Sequence, residues 1–227
     1  LSDISWRLPF GIYLVGVLLL PFVLKYLVEV PISTGDKGDE QNIDSNVFLV
    51  YVLAFFYMLI FFILPTQVPF LLIENFNASG SLTGSIISVA FLFNALGALF
   101  FSKLKNRFNF LSIYIIALLI IGVGFTLFGL VQNVYLFFLV SPILGFGGGI
   151  MMTNVVAWML SKTHIKKRVK SSGYFTSALF LGQFSSPIVF HPIISQMSIQ
   201  NFFSLVGVTL LFIVLVSSVF MIMKKRV

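Results

Sequence analysis

Few side chains of this sequence could do chemistry, and those that could lie inside long apolar runs. Gln67 stands between two prolines, Gln183 lies in the middle of an apolar stretch, and Asn154 precedes Trp158 by about one helical turn. An amide donates and accepts hydrogen bonds but is neither an acid nor a base at neutral pH. Acid–base or metal chemistry needs a cluster of titratable groups, and the apolar runs hold no Asp or Glu at their centres. We therefore expect a protein that binds a solute without breaking bonds, not an enzyme, and we expect neither a metal ion nor a cofactor.

The hydrogen-bonding and polarisable side chains within these runs form a candidate substrate cavity, although each has a plainer alternative. A glutamine can instead join two helices, which contributes about 0.6–2 kcal/mol. Gln67 could satisfy the carbonyls that its flanking prolines free, and Trp158 could anchor its helix at the membrane interface. The cavity candidates are Tyr57, Gln67, Asn94, Met151, Asn154, Trp158, Gln183 and Ser186.

Prolines and glycines mark where helices are expected to break or to approach one another closely. Proline frees a backbone carbonyl, which inside a membrane is tolerated only against protein or a wet cavity. Glycine lets two helix backbones come together. The glycine run lies inside an apolar stretch with no strand before it, which argues against dinucleotide binding. The residues expected to act in this way are Pro65, Pro69, Pro142, Gly145, Gly148, Gly149 and Pro187.

The composition places most of this chain in a lipid bilayer. Of its 227 residues, 59% are hydrophobic and only 9% are charged, whereas a soluble domain has about 25% charged residues. The absence of cysteine excludes disulfides, thiolate metal sites and cysteine catalysis. A net charge of +7 could indicate nucleic acid, but eleven of the fourteen Lys and Arg residues fall in three short clusters between or after apolar runs. That arrangement is typical of membrane topology, and no nucleic-acid partner is expected.

The apolar runs predict an all-α integral membrane protein with seven transmembrane helices. A helix needs roughly 20 apolar residues to cross the hydrocarbon. The 54 residues from 108 to 161 contain no charge and as one helix would be about 81 Å long, so they must fold back, and Gln132-Asn133 is the polar break. Gln200-Asn201 breaks the next long run in the same way. The predicted spans are residues 8–27, 46–73, 82–101, 110–130, 134–160, 173–194 and 202–223.

The basic clusters predict the orientation of these spans. They follow the third, fifth and seventh spans, so they share one side if every span crosses. The positive-inside rule makes that side cytoplasmic. We expect a multi-pass protein of the cell membrane, with the N-terminus of this chain outside and the C-terminus in the cytoplasm. The residues of the two basic loops are Lys103, Lys105, Arg107, Lys166, Lys167 and Arg168.

The last six spans divide into two triplets, residues 47–131 and 132–227. Since three is odd, the second triplet starts on the opposite face from the first, which is the inverted-repeat plan of secondary transporters. The first span of each triplet carries the proline-containing clusters. Interrupted helices at matching positions of two repeats indicate a transport site.

Three segments of the chain resemble the major facilitator superfamily, near its bacterial drug:proton antiporter and sugar-efflux branch. Residues 103–108, Lys-Leu-Lys-Asn-Arg-Phe, are similar to the second copy of the family's basic loop motif, although Asn106 stands where Asp is usual and Asn109 where Gly is usual. Residues 145–158 and 180–187, the latter Phe-Leu-Gly-Gln-Phe-Ser-Ser-Pro, are similar to the tenth and eleventh helices of this branch.

The resemblance implies a domain organisation. Residues 1–30 would be the last helix of an N-terminal bundle, residues 31–46 the cytoplasmic central loop, and residues 47–227 the C-terminal six-helix bundle. The first residue is Leu rather than Met, and we expect a chain cut from a longer protein whose N-terminal bundle is the partner of this one.

The resemblance also implies a function, namely secondary active transport by alternating access. We expect proton-coupled efflux of a small hydrophobic or sugar-like solute. Because a proton relay needs an ionisable group at membrane depth, we expect that group to lie in the N-terminal half. The alternatives are a membrane protein that does not transport and a subunit that forms half of a transporter.

Overall fold

The structure, a computed structural model, describes residues 7, 10–11, 13–26 and 45–226. Within these residues the chain forms α-helices joined by short turns, and no strand occurs. The turns before α6 and α7 are 3₁₀-helical, Val134–Leu136 and Ile165–Lys167. The helices are α1 (Tyr13–Tyr26), α2 (Ser45–Phe61), α3 (Ile63–Phe70), α4 (Gly80–Lys105), α5 (Phe110–Leu130), α6 (Phe137–Lys162), α7 (Arg168–Ile194) and α8 (Ile199–Arg226).

Six helical segments of the described chain are long and apolar enough to cross a membrane. One of them, Val47–Asn75, joins α2, α3 and a π-helical turn, Leu71–Asn75. The apolar helix α1, at 14 residues, is shorter than a full crossing; residues 8, 9, 12 and 27 of its predicted span lie outside the described residues, as do residues 31–44 of the predicted central loop. The predicted all-α membrane fold is confirmed.

Polar residues at the turns begin several of these helices. The Asn109 side-chain oxygen accepts a hydrogen bond from the Ser112 backbone N–H at 2.8 Å, which caps α5. Ser79 caps α4 in the same way through Leu82 N–H at 3.2 Å. Asn77 just before it has a φ of 51°, a left-handed conformation that Asn tolerates better than most residues. These short caps explain why antiparallel helices can follow one another with so few connecting residues.

The two triplets, α2–α5 and α6–α8, pack in an exchanged manner. The second helix of each triplet lies along the first helix of the other, since α4 packs on α6 and α7 packs on α2. The third helices, α5 and α8, pack on each other. This exchange of partners is what an inverted repeat produces, and it agrees with the predicted three-plus-three bundle.

Contacts between helix termini show which loops share an end of the bundle. Tyr114, early in α5, donates a hydrogen bond to the Leu53 carbonyl, in the middle of α2, at 3.1 Å. Tyr51 of α2 lies 2.6 Å from Ser171 of α7, hydroxyl to hydroxyl. The starts of α2, α5 and α7 are therefore together. The two basic loops precede α5 and α7, so both lie at this end, which we call the basic end.

Phenylalanines fill the opposite end of the bundle. Phe128 lies between Phe137 and Phe203, with ring centroids 5.0 and 5.6 Å apart, and Phe76 meets Phe137 edge to face at 5.2 Å. Gln200 donates a hydrogen bond to the Val131 carbonyl beside them. This aromatic cluster ties the ends of α3 and α5 to the starts of α6 and α8.

Candidate functional site

A hydrogen bond joins the first helices of the two repeats near the middle of the bundle. The buried Tyr57 hydroxyl donates to the Gly148 carbonyl oxygen at 3.0 Å. A Cβ on Gly148 would overlap the Phe61 ring, so only glycine lets α6 approach α2 this closely. Tyr57 and Gly148 therefore hold α2 against α6.

Glycines also bring the backbones of α4 and α6 into contact. A Cβ at Gly145 would collide with the Ala90 carbonyl oxygen, and one at Gly149 with the Asn94 carbonyl oxygen. Gly97 of α4 meets α6 in the same way, at the Phe146 carbonyl oxygen. This crossing positions Asn94, whose side chain is half-buried, beside the glycine run.

Gln183 lies where α7 crosses α2. The neighbouring Gly182 packs on the α2 backbone, with Leu59 N 3.1 Å from the position of a Cβ. The Gln183 amide nitrogen lies 3.5 Å from the Met58 sulfur, which is a weak acceptor. One turn further along α7, Ser186 is buried and its hydroxyl has no hydrogen-bond partner among the described residues. We call this crossing the α2–α7 joint. It holds two polar side chains, Gln183 and Ser186, that form few hydrogen bonds with the protein.

Asn154 and Trp158 face a different helix, α5. The fully buried Asn154 donates a hydrogen bond from Nδ2 to the Phe110 carbonyl at 3.0 Å. Trp158 stacks on the Phe110 ring with centroids 5.8 Å apart and planes at 6°. The fully buried Met151 lies one turn earlier on α6. Asn154 and Trp158 thus support the basic end through contacts within the protein, apart from the α2–α7 joint.

The first span of the first repeat, Val47–Asn75, is interrupted near its prolines. Helix α2 ends at Phe61 and α3 begins at Ile63, so the single residue Phe62 separates them, and the Thr66 hydroxyl donates to the Phe62 carbonyl at 2.7 Å. Gln67 is half-buried between Pro65 and Pro69, and its side chain makes no hydrogen bond within the described residues. The π-helical turn follows directly.

Two other prolines leave their helices continuous, where the sequence predicted breaks. Pro142 is the sixth residue of α6, and Pro187 lies inside α7, and both helices continue on either side. Each proline removes a single N–H from the helical ladder, and the surrounding packing holds the remaining bonds. Among the prolines predicted to break helices, only those of the first span of the first repeat lie beside an interruption within the described residues.

A buried hydroxyl network at the basic end was not expected from the sequence. Ser171 is fully buried, and its hydroxyl lies 2.6 Å from that of Tyr51 and 3.0 Å from that of Thr163. Thr163 also donates to the Met159 carbonyl at 2.8 Å. The network joins α2, α6 and α7. Isolated serine and threonine carry no sequence signal for such pairing, because it depends on how the helices pack. The basic-loop residues near this network, Lys103, Lys105, Arg107, Lys166, Lys167 and Arg168, are exposed or half-buried.

Comparison with known proteins identifies the architecture. The sequence model described as Major Facilitator Superfamily matches residues 49–226. This chain belongs to the major facilitator superfamily. The resemblance to this superfamily that the sequence indicated is thereby confirmed, and the chain is a multi-pass membrane protein.

Two curated proteins are similar to this chain. It is 26% identical over 143 residues to multidrug resistance protein 2 of Bacillus subtilis (strain 168). The aligned region covers 63% of this chain and 34% of that protein. It is 25% identical over 157 residues to multidrug resistance protein MdtG of Proteus mirabilis (strain HI4320). Here the aligned region covers 67% of this chain and 39% of that protein. The chain therefore matches well under half of the length of these superfamily proteins.

Proposed function

We propose that the protein is a proton-driven exporter of a small hydrophobic or sugar-like solute, working by alternating access. The described bundle would be the C-terminal half, rocking against an N-terminal bundle around a cavity between them. Both similar proteins carry the name multidrug resistance protein, which supports efflux of apolar compounds.

The observation that carries the proposal is the weak hydrogen bonding of Gln183. Its amide lies at membrane depth, half-buried, and its protein partner is a thioether sulfur at 3.5 Å. A buried amide that served only to join helices would pair with a carbonyl or hydroxyl. An amide with spare donors and acceptors is what a solute needs for orientation in an otherwise apolar pocket. The Gln67 side chain, in the interrupted span, likewise makes no hydrogen bond within the described residues and could bind a solute in the same way.

We further propose that the basic end faces the cytoplasm, that residues 31–46 form the central loop, and that α1 is the last helix of the N-terminal bundle. No side chain of α1 is buried, which supports a helix whose packing partners lie in another bundle. The described spans carry no Asp or Glu at their centres, since Glu74 lies exposed in the π-helical turn. The proton-binding group would therefore lie in the N-terminal bundle.

Transport by the full-length protein in liposomes tests the proposal. A fluorescent hydrophobic dye should move against its gradient when a pH gradient is imposed, and should stop when an ionophore collapses that gradient. Dye movement that ignores the pH gradient would contradict proton coupling. Absence of movement for hydrophobic dyes and sugars alike would favour a membrane protein that does not transport, or a subunit that needs a second chain.

A further inference from the structure

The two repeats pack differently at one position, and a cavity lies there. Helix α5, the third of its triplet, lies along α6, the first of the other triplet. The equivalent pair, α8 and α2, has no extended contact in the described bundle. The space between α8 and α2, with α5 as its third wall, is a cavity of about 620 Å³. That volume falls within the roughly 300–1,000 Å³ of small-molecule sites.

The lining of this cavity is apolar and therefore suits a hydrocarbon ligand. Only Tyr114 and Ser217 of its lining side chains carry polar atoms, and the Tyr114 hydroxyl already donates to the Leu53 carbonyl. A polar ligand would lose its hydration here without gaining partners. The other lining side chains are apolar, among them Leu111, Leu118, Leu210, Val216, Phe220 and Met221.

The cavity has a buried floor and a mouth toward the bilayer. Leu118 and Leu210 are 7% and 3% exposed, whereas Val216 and Phe220 are 52% and 71% exposed. A gap of this size in a close-packed bundle forfeits dispersion contacts on every wall. In a membrane, the acyl chains of lipids surround this mouth and can restore those contacts.

The position of the cavity along the bundle indicates which part of a lipid enters. Leu111 is the second residue of α5 and Met221 lies near the end of α8, so the cavity opens in the half of the membrane at the basic end. Arg107, which is exposed, lies in the turn just before α5. Cations at this level attract anionic headgroups.

We propose that this cavity binds an acyl chain of an anionic phospholipid, with the headgroup held at the basic end. The acyl chain fills the space between α8 and α2, whereas the equivalent helices of the other arrangement, α5 and α6, pack directly on each other. The site is separate from the solute site at the α2–α7 joint, so it neither requires nor predicts the transported substrate.

Photolabelling in liposomes tests the proposal with the full-length protein. A phosphatidylglycerol carrying a diazirine in the middle of one acyl chain should label the buried floor, at Leu118 and Leu210, which a loosely surrounding lipid cannot reach. Excess unlabelled phosphatidylglycerol should remove these adducts. Labelling confined to exposed lipid-facing positions would overturn the proposal, and this readout needs no variant.

A pair of matched variants sharpens the result. Val216→Trp fills the cavity and should abolish floor labelling. Val219→Trp makes the same change three residues away, at 49% exposure outside the lining, and should leave the labelling intact. Equal labelling in both variants would contradict the site. Displacement of the adducts by phosphatidylcholine as effectively as by phosphatidylglycerol, or by a transported dye, would also overturn an anionic-lipid site.

Discussion

The Tyr57 hydroxyl reaches across from α2 to the Gly148 carbonyl of α6 at 3.0 Å, so one hydrogen bond connects the leading helices of the two repeats. Around it, α4 lies on α6 and α7 lies on α2. Each repeat therefore completes its packing with helices of the other, and the transport site is expected where these exchanged contacts meet.

Replacing Tyr57 by Phe should weaken the bundle modestly. Interhelical hydrogen bonds in membranes contribute about 0.6 kcal/mol on average and roughly 1.7 kcal/mol at most. We expect a fall of a few degrees in the thermal unfolding temperature in detergent. Tyr135→Phe removes an exposed hydroxyl and should cause no change. An equal effect of the two variants would show that the Tyr57 bond contributes nothing.

Gly149→Ala should be strongly destabilising, because the new methyl group would collide with the Asn94 backbone and force α4 away from α6. Overpacking typically costs about 1–3 kcal/mol, and here a backbone atom, which cannot rotate aside, is the obstacle. Gly84→Ala is the control, since its Cβ would meet open space within α4, and it should be neutral or stabilise by up to about 1 kcal/mol. Folded yield and unfolding temperature measure both. Normal stability of Gly149→Ala would refute the close crossing.

Much of this architecture could be predicted from the pattern of charges and apolar runs. The boundaries of α5, Phe110–Leu130, follow from the basic loop before it and the polar pair Gln132-Asn133 after it. Spans and loops can be recognised in the sequence because the hydrocarbon of the membrane excludes charged side chains, whereas water favours them.

The contacts between helices could not be predicted in this way. A membrane helix is apolar toward both lipid and protein, so the sequence of α6 does not show that Asn154 faces α5 while Gly148 faces α2. The one-residue break at Phe62, the continuity through Pro142 and the cavity between α2 and α8 all depend on this side-to-side packing. The assignment of the substrate cavity stays a prediction for the same reason.

Ser171→Ala should destabilise the basic end. Ser171 is the centre of the buried network with Tyr51 and Thr163. Its removal leaves the Tyr51 hydroxyl without its partner, at a cost of about 1–3 kcal/mol, whereas Thr163 keeps its bond to the Met159 carbonyl. The adjacent, half-buried Ser172 makes no side-chain hydrogen bond within the described residues, so Ser172→Ala should have little effect. Hydrogen exchange at the starts of α2 and α7 should rise only in Ser171→Ala, and unchanged exchange would refute the network's role.

Gln183→Ala and Gln67→Ala should change which solutes are transported while leaving the protein folded. Removing a weakly paired amide costs little stability, whereas a solute that used it loses a hydrogen bond of about 0.5–1.5 kcal/mol, or roughly two- to tenfold in apparent affinity. Gln196→Ala, at an exposed position between α7 and α8, is the control. Transport should be compared across a panel of dyes. An unaltered dye profile in both amide variants would remove Gln183 and Gln67 from the site.

The orientation of the bundle is the claim on which the transport account rests most directly, and reporter fusions after Arg107 and after Gln200 measure it. Arg107 is expected at the cytoplasmic end and Gln200 outside, because an odd number of crossings separates them. A fluorescent protein should therefore be active only at Arg107, and alkaline phosphatase only at Gln200. If both positions report the same side of the membrane, the inverted repeat with a cytoplasmic basic end is wrong.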